Sequence, residues 1–547
     1  MPDTNVPIRN DYDAVVIGAG FSGLYMLHKL RELGLCARVI EMADGVGGTW
    51  FWNRYPGARC DSESYYYCFT FSKEILLEWE WTCRYPGQPE ILRYLNYVAD
   101  KLDLRRDIQF STRVTGACYD EPNGKWVIET DRGDRLTATY FITAVGCLST
   151  AQIPNFKGRE TFRGKSYHTG QWPHEGVDFT GKRVGIIGTG STGIQAIPVI
   201  AKEAAHLTVF QRTPNYTVPA RDRPMPPEFK RDVKARYDEI VQKTRESVFG
   251  MPFDSPTQSA LEVAPEEREN VYEELWDRGG FCFMLSSFHD LITNLEANDT
   301  AAEYVRRKIR EIVKHPKTAR MLSPYNHPIG TKRPPIDTDY YETFNRENVM
   351  LIDIREEPIE EITPDGIRTA MRDYRVDAIV YATGFDAMTG SLFRLNIRGR
   401  GGMLLQEKWA DGPHTYLGIA TVDFPDLFMI TGPGSPSVLS NMPVSIEQHV
   451  EWIADCLGYM RSSTLNQIEP LCEAEAAWDA HVAETAAATL FPRADSWYMG
   501  ANIPGKPRVF FPYAGGVGPY RQRCEEIAAN SYEGFVLSRH REPVAAD

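Results

Sequence analysis

Short apolar runs of β-branched residues recur along the chain, each followed by a glycine-rich turn and then by apolar residues three and four positions apart. That succession of strand, turn and helix periods predicts βαβ units. The first comprises Asp13-Ala-Val-Val-Ile17, the turn Gly18-Ala-Gly20-Phe-Ser-Gly23, a helix carrying Leu24, Leu27 and Leu30, and a second strand, Ala37-Arg-Val-Ile-Glu41. The unit recurs as Lys182-Arg-Val-Gly-Ile-Ile187, Gly188-Thr-Gly190-Ser191-Thr192-Gly193, a helix begun by Ile194, Ala196 and Ile200, and the strand Leu207-Thr-Val-Phe210. Two more apolar strands, Phe141-Ile-Thr143-Ala-Val-Gly146 and Ala378-Ile-Val-Tyr381-Ala-Thr383-Gly384-Phe-Asp386, close the units. From about 223 to 340 the rhythm gives way to Pro-rich turns and helices. One helix is predicted to start at a capping box of Thr300 and Glu303, with Ala301, Val305, Ile309 and Ile312 on one face.

The fold class expected is α/β, with two Rossmann-like dinucleotide-binding domains and a helical insert. Residues 1–150 form the first part of the first domain, 151–222 and 336–386 the second domain, 223–335 the insert, and 387–547 a return to the first domain. A net charge of -14 opposes a nucleic-acid partner, whose phosphates need a basic face. Met1 to Asn10 is polar, and no stretch reaches the roughly 18 apolar residues that span a bilayer. A soluble cytoplasmic protein with no membrane partner is expected. The ten cysteines include no Cys-x-x-Cys pair, which predicts free thiols and no metal.

The glycine turns point to phosphate chemistry. Gly18 allows a tight turn, Gly20 lets backbone approach a pyrophosphate, and Gly23 lets helix and strand pack closely. Glu41 lies 18 positions after Gly23, where a ribose hydroxyl needs an acceptor. Gly188, Gly190, Ser191, Thr192 and Gly193 repeat the turn, but the strand after it ends in Gln211-Arg212-Thr213 with no acid. A cation there suits a 2′-phosphate, so the second site is read as NADPH.

Four further stretches add chemistry. Phe162-x-Gly164-x-x-x-His168-x-x-x-Trp172-Pro173 lies between the two sites and is expected to be a connector, too rich in Gly, Pro and aromatics for an ordinary helix or strand. It resembles the signature of the type I Baeyer-Villiger monooxygenases, flavoenzymes that insert oxygen beside a ketone carbonyl. Gly47-Gly48-Thr49-Trp50, continued by Tyr55-Pro56-Gly57 and Asp61, resembles a second motif of that family. The resemblance implies FAD at the first site, with Gly48, Thr49, Trp50 and Asp61 beside it, and NADPH at the second. Lys332-Arg333-Pro334-Pro335 is similar to the segment supplying the family's active-site arginine, which falls on Arg333. Lys332 is placed with the coenzyme, and Asp61 and Arg333 as the catalytic pair. Gly432 to Asn441 resembles the substrate loop of the phenylacetone and steroid enzymes, making Ser437, Val438 and Leu439 substrate contacts and bulky ketones acceptable. Asp495 to Lys506 resembles a mobile segment whose tryptophan, here Trp497, closes over nicotinamide. Gly515-Gly516-Val-Gly518 is expected to be a turn against the flavin domain.

The implied reaction takes a ketone and O2 to an ester or lactone through a C4a-peroxyflavin, in a monomer or small homo-oligomer. The alternative is a flavin monooxygenase acting on nitrogen or sulfur, which shares both glycine motifs but usually lacks the terminal Trp172-Pro173. A redox sensor without turnover would leave the second site and Arg333 idle.

Overall fold

Two sheets, one mixed and one wholly parallel, carry the chain in the computed structural model, which describes residues 10–540. Of the polar start Met1 to Asn10, residues 1–9 lie outside the described residues. In the first sheet Asp11–Ile17 pairs in parallel with Ala37–Ile40 on one side and Arg135–Thr143 on the other, and Ile108–Gln109 extends it. The long strand Arg135–Thr143 serves two partners along one edge. Its first half runs antiparallel to Lys125–Thr130, and its second half parallel to Leu427–Met429, with Leu427 opposite Phe141. Ile397–Arg398 also joins this sheet, beside Val114–Asp120. The second sheet runs Val349–Asp353, His206–Gln211, Arg183–Ile187, Ala378–Tyr381, Lys165–His168, all parallel.

The two glycine turns are built alike, atom for atom. Gly18 N–H donates to the Ile40 carbonyl at 2.9 Å and Ala144 N–H to Ile17 at 2.9 Å; Gly188 and Ala382 repeat this with Phe210 at 3.0 Å and Ile187 at 2.9 Å. Both first glycines have positive φ, +106° at Gly18 and +112° at Gly188. A Cβ there would come within 2.6 Å of the Ala144 carbonyl oxygen or 2.3 Å of that of Ala382. The last glycines are equally constrained, since a Cβ on Gly23 or Gly193 would meet the first glycine's carbonyl oxygen at 1.8 or 2.3 Å. Helix and strand touch through bare backbone, which places the helix N-termini at the carboxyl ends of the sheets.

The helix Phe21–Glu32 then packs on Met442–Ser462, burying Leu24, Leu27 and Leu30. Each such side chain contributes about 1.5–3 kcal/mol by leaving water. Between the second sheet's strands His206–Gln211 and Val349–Asp353 the chain forms the helices Pro227–Ala235, Tyr237–Glu246, Pro265–Arg278, Leu295–Ile312 and Pro316–Leu322. Val218–Pro219 and Ile336–Asp337, pairing in parallel, bracket them.

Three local expectations are corrected. The helix expected to start at Thr300 starts at Leu295, because Asn294 caps it by accepting from the N–H groups of Glu296 and Ala297 at 3.0 and 3.3 Å. Thr300 lies inside that helix and donates back to the Ala297 carbonyl at 2.7 Å. The expected connector contains a strand, Lys165–His168, on the edge of the second sheet, where polar Lys165 and Ser166 tolerate exposure. The cluster at Gly515 opens a helix, Val517–Ala529, with Gly516 as its N-cap. All ten cysteines are free thiols. Among the described residues no helix is long and apolar enough to cross a membrane.

Candidate active site

At the first turn, the helix Phe21–Glu32 has an extended Gly20 as N-cap and no side-chain cap, which leaves its first N–H groups for a phosphate. Gly20 lies against Gly48, whose φ is +53° and whose Cβ, if present, would be 2.9 Å from Gly20 Cα. Glu41 is buried, and its carboxylate accepts from Ala19 N–H at 2.6 Å and Ala43 N–H at 2.7 Å. Burial raises its pKa, and the backbone donors work the other way. Each oxygen keeps a second lone pair, so a ribose hydroxyl can still donate. Thr49 is exposed, and Trp50 is buried with Nε1 donating to Tyr67 Oη at 3.1 Å.

The second turn differs in one position. The helix Ser191–Glu203 also begins at an extended Gly190 without a side-chain cap, but no group from elsewhere in the described fold lies within 4 Å of where a Gly190 Cβ would be. Packing therefore does not require glycine there, whereas a close ligand would. Thr192 Oγ1 lies 3.1 Å from Thr169 Oγ1, and the Thr213 carbonyl accepts from Thr189 Oγ1 at 3.2 Å. Arg212 is exposed, and Lys332 is half-buried. Burial, and after it the neighbouring Arg212 charge, lowers the Lys332 ammonium to about 8, with Asp495 opposing. Two cations thus face one space from loops 120 residues apart in number, 212 and 332.

Between the cradles Arg333 and Asp61 form a bidentate pair, Nε to Oδ2 at 2.7 Å and Nη2 to Oδ1 at 2.8 Å. Nη1 donates to the Val438 carbonyl at 3.0 Å, and the guanidinium lies over the Phe281 ring, 5.0 Å from its centroid. Burial works against the guanidinium's charge, but Asp61 outweighs it and holds the pKa above its usual value. The pair keeps 23% and 19% side-chain exposure, so it faces a space. Asp61 is aimed there by a turn that docks on the second cradle's helix. Gly57 has φ +82° and its Cβ would meet the Gln195 carbonyl oxygen at 2.4 Å, while Tyr55 Oη donates to Gln195 Oε1 at 2.7 Å.

Ser437–Leu439 form one short helical turn, with Ser437 and Val438 buried. The small residues around it are matched to close packing: a Cβ on Gly434 would lie 2.7 Å from Thr415 Oγ1, and Ser437 Oγ is 3.0 Å from Cys147 Sγ. Loop composition therefore gives no argument for a roomier pocket. Trp497 is partly buried in an apolar cluster with Val438 and Leu439, its ring 4.3 Å from that of Tyr498. Burial, opposed by Arg333, pushes the Tyr498 phenol up to about 12. Lys506 Nζ pins this segment to the loop after the strand Ala378–Tyr381, donating to Asp386 Oδ1 and the Ala387 carbonyl, both at 2.6 Å.

The signature residues sit elsewhere, around the second sheet. Phe162 packs beside Ile362 and Tyr374, and a Cβ on Gly164 would meet the Asp377 carbonyl oxygen at 2.5 Å. His168 Nδ1 accepts from Gly170 N–H at 3.0 Å, and burial lowers its pKa. Trp172, just before Pro173, packs on Tyr167 and Phe179 with centroids 5.4 and 6.2 Å apart. The motif reaches the second glycine turn only through the neighbouring Thr169, which meets Thr192. Sequence reasoning missed Phe281, Tyr498 and Asn215, whose Nδ2 donates to the Arg333 carbonyl at 3.0 Å. Only Phe281 had a signal, the pair Gly279-Gly280 after the helix Pro265–Arg278.

Two glycine cradles at the carboxyl ends of parallel strands in two sheets, with a cation and carboxylate between them, define a two-dinucleotide-binding flavoprotein. The flavin-binding monooxygenase-like family matches residues 12–241. A Baeyer-Villiger monooxygenase from Pseudooceanicola batsensis is 48% identical over 98% of this chain and 98% of its own. A phenazine N-monooxygenase from Lysobacter antibioticus is 46% identical, again over 98% of each. A structure of oxidized steroid monooxygenase bound to NADP superposes with a TM-score of 0.93 at 50% identity, covering 97% of this chain and 100% of that one. The chain belongs to the type I Baeyer-Villiger monooxygenase family.

Proposed function

We infer that the protein is an FAD- and NADPH-dependent Baeyer-Villiger monooxygenase, soluble and cytoplasmic, converting ketones to esters or lactones. The observation that carries this reading is the bidentate Arg333–Asp61 pair set between two cradles of opposite polarity. The division into 1–150 with 387–547, 151–222 with 336–386, and the insert 223–335 accounts for which strands share each sheet. FAD fits the first cradle, with pyrophosphate at Gly18, Gly20 and Gly23, ribose at Glu41, and the ring toward Gly48, Thr49, Trp50 and Asp61. NADPH fits the second, with pyrophosphate at Gly188, Gly190, Ser191, Thr192 and Gly193, and the 2′-phosphate at Arg212, Thr213 and Lys332.

Bound FAD, reduced by NADPH, supplies the oxygen chemistry. Arg333 holds a fixed positive charge where negative charge develops, which a preorganised dry site makes effective. Asp61 sets the guanidinium's plane and offsets the cost of its burial. Trp497, Tyr498, Val438, Leu439 and Phe281 make apolar walls, and excluding water protects reactive oxygen from hydrolysis. Product chromatography over aryl, cyclic and steroidal ketones is expected to give esters or lactones with NADPH consumption. Oxygenation of nitrogen is the second reading, favoured by similarity to the phenazine enzyme. A panel that yields N-oxides from N-heterocycles and no ester from any ketone would decide for it.

Coenzyme preference is expected to follow protonation of Lys332. Its ammonium is charged below about 8 and neutral above, so KM for NADPH should rise as pH passes that value while KM for NADH stays level. Arg212→Ala removes one charge-assisted contact, about 1.5–3 kcal/mol or roughly tenfold or more in KM for NADPH. Because Arg212 also depresses Lys332, the same variant should move the break to higher pH. Initial-rate pH profiles with both coenzymes check this, and equal losses with NADH would make Arg212 structural.

A further inference from the structure

Arg333 is followed by two prolines, which lack N–H groups and have fixed φ, and the residue before a proline is confined to extended backbone. Residues 333–335 therefore form a stiff rod whose prolines can join backbone hydrogen bonds only through carbonyl oxygens. The Pro335 carbonyl accepts from Val218 N–H at 3.2 Å, within the ribbon that pairs Val218 with Ile336. The Arg333 carbonyl accepts from a side chain, Asn215 Nδ2 at 3.0 Å.

Asn215 stands three positions after Arg212, in the loop that leads into the ribbon strand Val218–Pro219, as Arg333 stands in the loop before Ile336–Asp337. The ribbon thus joins two loops, 212–215 and 331–333, each just upstream of its own strand. Adjacent side chains on the second loop diverge: Lys332 lies within range of the Arg212 charge, and Arg333 reaches Asp61. The backbone of Asn215 is fixed in turn, its carbonyl accepting from Tyr341 Oη at 3.5 Å, while that hydroxyl accepts from Thr217 N–H at 3.3 Å. Asn215 Oδ1 is buried and without a partner among the described residues. The bond to the Arg333 carbonyl is thus the side-chain hydrogen bond that offsets burial of this amide.

We propose that Asn215 is a positioning residue: its hydrogen bond to the Arg333 carbonyl transmits the seating of an adenosine 2′-phosphate by Arg212, Thr213 and Lys332 to the guanidinium beside Asp61. This rests on the roles assigned to those residues above. The phosphate then bears on the accuracy of oxygen transfer as well as on coenzyme affinity. A guanidinium shifted by an ångström loses much of its effect on rate.

The test measures coupling, the ester formed per coenzyme oxidised, counted per FAD-containing enzyme and at saturating coenzyme. Wild-type coupling should be about threefold or more better with NADPH than with NADH. In Asn215→Ala, NADPH coupling should fall to the NADH level while KM for NADPH changes less than about threefold. Asn215→Gln, which keeps the amide, should recover part of the difference. Hydrogen exchange gives a readout independent of turnover: NADP+ should slow exchange of the Val218 amide and of the Ala220 amide, which donates to the Asp337 carbonyl at 2.8 Å, in wild type but not in Asn215→Ala. The proposal is overturned if Asn215→Ala keeps wild-type coupling with NADPH, or if NADP+ protects those amides equally in both proteins. If Arg333→Ala itself still forms ester at near wild-type rate, the reading of the site fails and this proposal with it; if Arg333→Ala is inactive and Asn215→Ala is normal, only this proposal fails.

Discussion

Arg333→Ala should retain FAD, accept reduction by NADPH more slowly, and release no detectable ester from a ketone that the wild-type enzyme converts. The substitution deletes both bonds to Asp61 and the bond to the Val438 carbonyl, and leaves a half-buried carboxylate facing the reaction space without its cation. A preorganised charge in a water-poor site is worth on the order of a hundredfold to a thousandfold in rate, and here an uncompensated anion is added to its loss. Arg333→Lys should fall between, because an ammonium cannot span both carboxylate oxygens and can lose its proton in a dry site. FAD should stay bound, since none of the cradle contacts at Gly18, Gly20, Gly23 or Glu41 involves Arg333. Stopped-flow flavin absorbance and product chromatography separate the reductive loss from the oxidative one. Near wild-type ester formation would return Arg333 to an ordinary solvated loop.

Gly190→Ala should fold normally and fail with NADPH. The backbone at Gly190 is extended, φ -83° and ψ -169°, which alanine adopts freely. No group from elsewhere in the described fold lies within 4 Å of the added methyl, so melting temperature and FAD content should match wild type. A pyrophosphate approaching the helix N-terminus would meet that methyl and lose its bonds to the first N–H groups. Two such charge-assisted bonds at about 1.5 kcal/mol each correspond to roughly a hundredfold in kcat/KM for NADPH. Gly193→Ala is the contrasting case, since its Cβ would lie 2.3 Å from the Gly188 carbonyl oxygen, and it should destabilise the domain itself. A Gly190→Ala enzyme with wild-type NADPH kinetics would place the pyrophosphate elsewhere.

Much of the fold was legible because its glycine turns leave no steric freedom. Gly18, Gly23, Gly188 and Gly193 each face a carbonyl oxygen too close for any Cβ, and a constraint of that kind is written locally. The strand Lys165–His168 escaped notice because an edge strand with polar residues has no apolar alternation to show. The early start of the helix Leu295–Ile312 escaped because Asn294 competes with Thr300 as a cap, and the winner depends on the chain before it. Arg333 and Asp61 are 272 positions apart, and no local pattern connects them. Only motif resemblance brought them together. Asn215, Phe281 and Tyr498 carry no such motif, and their roles arise from a ribbon, a ring face and a packed segment that exist only after folding.

The most direct test of the central claim is to convert a ketone under 18O2 with NADPH and follow the label by mass spectrometry. One labelled atom should appear in the bridging oxygen of the ester, none in its carbonyl, with one NADPH consumed per ester formed. NADPH oxidation that yields only hydrogen peroxide while every ketone is recovered unchanged would contradict it.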